Sequence, residues 1–130
     1  MKFLVAYDGT SESKSALHLA AEHAKIFGAG IVVLSSSEGG RGEKLKKITE
    51  ITNDLDQVAA DMKAAGVPCE IDQTARGLSP GEDAVRFAAE NQFDLIYVGI
   101  RKKSKTMKLF LGSTAQYIIL KAGCPVVTVK

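Results

Sequence analysis

The chain contains no tryptophan, and aromatic residues make up only 6% of it. That scarcity argues against an electron carrier that sandwiches a flavin ring between aromatic side chains. Its two cysteines, Cys69 and Cys124, form neither a C-x-x-C redox pair nor a metal spacing, and both are expected as free thiols. The two histidines, His18 and His23, stand five apart on one predicted helix, whereas a metal-binding pair prefers three or four. They read as ordinary surface or boundary residues, and no metal ligand set is expected. No apolar run approaches the ~20 residues that a membrane helix needs. The opening MKFLVAYDGT breaks at Asp8-Gly9 and reads as a first strand, not a signal peptide. A cytoplasmic protein with no membrane partner is the expectation. The formal net charge of +2 does not by itself call for a polyanion. The lysines also lack the interleaved aromatics that stack on single strands, so no DNA partner is expected.

What is present is an alternation. Its 130 residues suit a single domain, 1–130, and its 45% hydrophobic content is enough to fill one core. Short apolar or alternating runs at 2–7, 31–35, 69–75, 94–98 and 125–129 read as strands. Between them lie helical patterns. Ala16, Leu17, Ala20, Ala21, Ala24 and Phe27 mark one face of 11–27. Leu45, Ile48, Ile51, Leu55, Val58, Ala59 and Met62 do so within 43–65. Ser79-Pro80-Gly81-Glu82 is a capping box that opens a third helix, and a fourth begins near Ser113. Strands alternating with helices make a parallel sheet covered on both faces, a three-layer α/β sandwich. The run Ser35 to Gly42 reads as a mobile loop after the second strand.

Positive charge gathers in one place. Residues 99–116, GIRKKSKTMKLFLGSTAQ, carry Arg101, Lys102, Lys103, Lys105 and Lys108 with no acidic residue. The stretch opens on Gly99 and closes on Gly112-Ser113-Thr114 at a helix start. Unpaired N–H groups and the helix dipole favour a phosphate there, and the two hydroxyls add donors. In an open parallel sheet ligands bind beyond the carboxyl ends of the strands, where strand order reverses. If the first and fourth strands are neighbours there, the loops after strands one, two and four converge. Asp8 would repel phosphate and suits a base or a ribose hydroxyl. Each residue also has a plainer structural role: Gly99 as a strand end, Ser113 as an N-cap, Asp8 as a turn former with Gly9.

The stretches DGTSES, VGIR and LGSTAQYIILKAGCPVVTVK resemble the universal stress protein family, and the likeness runs the whole chain. The nucleotide-binding members carry G-x2-G-x9-G-[ST]. Gly99, Gly112 and Ser113 match that pattern, and Lys102 stands where it has its middle glycine. The resemblance implies a Rossmann-like sandwich with a five-stranded parallel sheet in the order 3-2-1-4-5, of the adenine nucleotide alpha hydrolase-like type. It implies ATP or AMP as ligand, with magnesium or manganese as the accompanying cation. Asp8 and the backbone near Ser35 would flank adenine and ribose. Gly99, Arg101, Lys102, Gly112, Ser113 and Thr114 would hold the phosphates.

The implied strand order leaves two edges. Glu70, Asp72 and Gln73 blunt one; Val126, Val127, Thr128 and Val129 leave the other uncharged and suited to pairing with a second copy, as in similar proteins. Cys69 and Cys124 then lie four strand steps apart, about 19 Å, too far for a disulfide. No residue reads as a positioned general base, so the leading expectation is a dimeric, nucleotide-binding stress-response protein without strong catalysis. The alternative is a nucleotide-free dimeric interaction module, given Lys102. An ATP-cleaving synthetase would need a glycine pair and an added substrate domain.

Overall fold

A computed structural model describes residues 1–37, 45–102 and 109–130, with the backbone alone at 102, 109 and 110. The elements run β1 (Lys2–Ala6), α1 (Ser11–Phe27), β2 (Gly30–Ser37), α2 (Leu45–Ala64), β3 (Cys69–Ala75) and α3 (Pro80–Asn91). They continue through β4 (Leu95–Gly99), the two-residue strands β5 (Arg101–Lys102) and β6 (Leu109–Phe110), α4 (Ser113–Lys121) and β7 (Val126–Val129). Five strands form one parallel sheet in the order β3-β2-β1-β4-β7. Counting only these five, that is the expected 3-2-1-4-5 arrangement, with order reversing between β1 and β4.

Side-chain alternation along the central strands divides the core into two layers. Phe3, Val5, Val33 and Tyr97 face α1 and α2, where Ala16, Ala20, Leu55 and Val58 meet them. Leu4, Leu34, Ile96 and Val98 face the other side, against Ala84, Ala88, Ala115 and Ile118. Of the predicted apolar stripes, Ala16, Leu17, Ala20, Ala21 and Ala24 of α1 and Leu55, Val58 and Met62 of α2 are buried, whereas Phe27, Leu45, Ile48 and Ala59 are exposed. The capping box is present: the Ser79 hydroxyl accepts from the Glu82 N–H at 3.4 Å and donates to Glu82 Oε1 at 2.8 Å.

Three boundaries differ from the sequence reading. Ser35, Ser36 and Ser37 are not loop but the end of β2, held in register against Gln73, Thr74 and Ala75 of β3. Serine is a poor strand former alone, and cross-strand pairing overrides that preference. The rest of the expected mobile loop, 38–42, lies outside the described residues. The basic stretch does not leave β4 as one loop. Arg101 pairs with Phe110 and Lys102 with Leu109 in a short antiparallel ladder, which returns the chain toward the end of β4. Lys103, Lys105 and Lys108 lie outside the described residues. Finally, Gly112, not Ser113, is the N-cap of α4.

The two edges are β3 and β7. Ile96 and Ile100 donate to the carbonyls of Pro125 and Val129, at 3.1 and 2.7 Å. Odd-numbered residues of this strand therefore turn their backbone toward β4. In a parallel ladder Val126 and Thr128 then turn theirs to the open edge. Cys69 starts one edge strand and Cys124 precedes the other, and both thiols are free. Among the described residues, no helix is long and apolar enough to cross a membrane.

Candidate functional site

All the β-to-α connections of a parallel sheet leave from the same end, so the helix N-termini gather at the carboxyl ends of the strands. Three of them meet at one cavity of about 340 Å³. Thr10, Glu12 and Ser13 bring the start of α1, Pro80 the start of α3, and Gly112, Ser113 and Thr114 the start of α4. Ala6, Leu34 and Val98, from the ends of β1, β2 and β4, supply apolar lining. The volume lies within the ~300–1,000 Å³ usual for small-ligand sites. Three helix dipoles aimed at one space favour negative charge in it.

Two glycines make this convergence possible by omitting a side chain. A Cβ on Gly99 would lie 2.4 Å from the carbonyl carbon of Glu12 and 2.5 Å from its oxygen. The first turn of α1 therefore rests directly on the end of β4. The close approach expected at Gly99 is made to the protein's own backbone. A Cβ on Gly81 would lie 2.9 Å from Cβ of Tyr117, so α3 and α4 touch beside their N-termini.

The turn from β1 to α1 is built by its polar side chains. Asp8 Oδ1 accepts from the Thr10 N–H at 3.0 Å and the Thr10 hydroxyl at 2.6 Å. Gly9 takes φ +82°, a left-handed conformation that suits glycine. Thr10 then caps α1 by accepting from the Ser13 N–H at 3.3 Å. One oxygen of Asp8 is thus engaged in folding the turn.

Six of the eight residues singled out from sequence line this cavity: Asp8, Gly99, Arg101, Gly112, Ser113 and Thr114. Ser35 does not. It stands one residue from Leu34 and Ser36, which do line it, and strand alternation turns its side chain to the opposite layer. The Lys102 side chain lies outside the described residues. At the N-cap Gly112 no side chain caps the first turn of α4, and no described atom lies within 4 Å of where its Cβ would be.

Sequence reasoning missed Tyr7, Glu12 and Ser36. Glu12 Oε2 lies 3.5 Å from Arg101 Nη2, so the one described basic side chain lining the cavity is already paired. The Ser11 hydroxyl, donating at 3.0 Å, holds the Glu12 carboxyl below its ordinary range, and the Arg101 charge adds to the effect. Tyr7 donates its hydroxyl to Asp54 on α2. Burial first, and then that carboxylate, push the phenol well above its usual range. Lys14 stands 3.8 Å from the same carboxylate. The Ser36 hydroxyl is buried without a hydrogen-bond partner of ordinary geometry, though it still helps hold the neighbouring Asp83 ionised. Glu12 alone had a legible signal, as an acid in the first turn of a helix that starts at the crevice. Among the described residues, no group of three or more His, Cys, Asp or Glu side chains is placed to hold a metal ion.

Comparison with known proteins agrees with this architecture. The universal stress protein family model matches residues 1–130. A curated universal stress protein of Thermus aquaticus, encoded in the 3′ region of a QAH/OAS sulfhydrylase, is 32% identical over 98% of this chain and 96% of its own length. A solved universal stress protein from Archaeoglobus fulgidus is 33% identical and superposes with a TM-score of 0.87, covering 99% of this chain and 97% of that one. A structure of the universal stress protein from Archaeoglobus fulgidus in complex with dAMP is 29% identical, with a TM-score of 0.80 over 99% of this chain and 96% of that one.

Proposed function

Since the chain belongs to the universal stress protein family, we propose that it binds an adenine nucleotide, ATP or AMP, in the cavity between the ends of β1 and β4. The observation that carries this reading is the meeting of three helix N-termini on one cavity of nucleotide-accommodating size. The dAMP complex of a 29% identical relative supports it. The first-turn amides of α4 would take the phosphates, with the Ser113 and Thr114 hydroxyls as added donors. Gly112 leaves that approach unobstructed by any described side chain. Arg101 would meet the phosphates from outside. Asp8 also lines the cavity, and its carboxylate suits a ribose hydroxyl better than a phosphate.

Binding, not turnover, is the role the cavity suits. Of the two carboxylates among its described lining residues, Asp8 is engaged with Thr10 and Glu12 with Arg101. Both are thus held by neighbouring side chains, an arrangement that suits binding better than general-base work. Magnesium or manganese, if it enters, would come with the nucleotide phosphates and find its nearest carboxylates in these two.

A second copy of the chain is the partner we propose for β7. Among the described residues, the outward backbone groups of Val126 and Thr128 are unpaired at an edge without charge, and edges of that kind pair readily. The nucleotide-free dimer stands as the second reading. It is favoured by the Glu12–Arg101 pair, which leaves two carboxylates against one guanidinium among the described side chains of the cavity.

The deciding experiment denatures freshly purified protein and identifies any released nucleotide, with calorimetry against ATP and AMP alongside. Released or titrated adenine nucleotide is the expected result. Absence of both would leave the dimer module standing. Lys102→Gly then separates two roles: tighter binding means the side chain obstructs, weaker binding means it contacts phosphate.

A further inference from the structure

Resting on the nucleotide reading, we propose that Glu12 is a built-in competitor for the ligand's phosphate. Its carboxylate holds Arg101 and releases it when a phosphorylated ligand enters, so Glu12 sets how far the site prefers phosphorylated over unphosphorylated adenosine.

The geometry supports this in three ways. Glu12 and Arg101 both line the cavity and pair with each other at 3.5 Å. The Arg101 side chain is 64% exposed and that of Glu12 only 20%, so the guanidinium is the partner free to swing toward a ligand. The Glu12 backbone is wedged against Gly99, where even a methyl group would overlap it. The backbone that carries the carboxylate is therefore fixed at the cavity wall, and the Ser11 hydroxyl holds Oε1 there at 3.0 Å. A phosphate entering beside it meets repulsion from Glu12 and competes for the same guanidinium. Adenosine meets neither.

The alternative is that Glu12 only complements the dipole of α1. The two roles separate by ligand. Calorimetry of the full chain, wild type and Glu12→Gln, is run with adenosine, AMP and ATP. We expect AMP and ATP to bind about fivefold more tightly to Glu12→Gln, the size of one exposed ion pair. Adenosine should be unchanged. Glu22→Gln removes the same charge from α1 outside the cavity lining and should change none of the three. Glu12→Asp keeps an acid in the first turn but shortens its reach, and should show a smaller gain of the same kind if Glu12→Gln folds poorly. Equal shifts for adenosine and AMP, or no shift where wild type binds AMP, would overturn the competitor role alone. Failure of both proteins to bind any of the three ligands would overturn the nucleotide reading, and this inference with it.

Discussion

Replacing Gly99 with alanine adds one methyl group where the structure has no room for it. The new Cβ would sit 2.4 Å from a backbone carbon of Glu12, 2.5 Å from its oxygen and 2.7 Å from its Cβ. Ordinary carbon contacts fall at about 3.5–4.0 Å, so β4 and α1 must part by roughly 1 Å. Two of the three obstructing atoms belong to the backbone, and no rotamer change relieves them. On either side of the contact the packing is complete: Tyr97 is fully buried in β4, as is Ala16 in α1. Overpacking of this kind costs about 1–3 kcal/mol, and a rigid neighbour puts Gly99→Ala near the upper figure. Unfolding entropy of ~2.1 cal/mol/K per residue converts about 3 kcal/mol into a melting temperature lower by about 10 °C. Thermal unfolding by circular dichroism, with a urea titration, reads this directly. Gly112→Ser is the matched control. Gly112 is the N-cap of α4 with φ −62° and no described atom near its Cβ, so serine should hold or raise stability by a few tenths of a kcal/mol. If Gly99→Ala melts within about 2 °C of the parent, β4 and α1 are not in rigid contact at Gly99.

Two further substitutions test other parts of the molecule. Asp83 is buried at the start of α3, accepting from Thr74 and Arg76 at 2.9 Å each. Burial by itself would raise its pKa, but hydrogen bonds from Ser36, Arg76 and Thr74 and the Arg76 charge outweigh that and lower it. A depressed carboxyl stabilises the fold above its unfolded pKa of about 3.9, and that stability is lost as pH falls through the folded value. Asp83→Asn should therefore lose about 2 kcal/mol at neutral pH, a modest figure because the guanidinium stays partly in water. The gap from wild type should close below about pH 4 in urea titrations. A gap that is constant with pH would contradict the assignment. At the other edge, Thr128→Pro removes an outward N–H without touching the ladder to β4. It should convert a dimer to monomer by analytical ultracentrifugation with secondary structure retained; an unchanged dimer would place the interface elsewhere.

The alternation of strands and helices, the buried face of α1 from Ala16 to Ala24, that of α2 from Leu55 to Met62, and the capping box at Ser79 were legible along the chain. Each depends on residues within a few positions of one another, where spacing maps onto a face or a helix end. The clustering of Gly99, Arg101, Gly112, Ser113 and Thr114 was legible for a related reason. The glycines bracket one strand-to-helix connection, and the parallel topology sends every such connection to the same end of the sheet. Tertiary structure alone decided the rest. That Ser36 and not Ser35 faces the cavity depends on how far β2 extends against β3, because each added residue reverses the face. That Gly99 makes room for the backbone of Glu12, and that Glu12 claims Arg101, depends on how closely α1 settles on β4. Such contacts join residues far apart in the chain, and no local preference encodes them. They arise only when the helices are packed and their side chains compete for the same space.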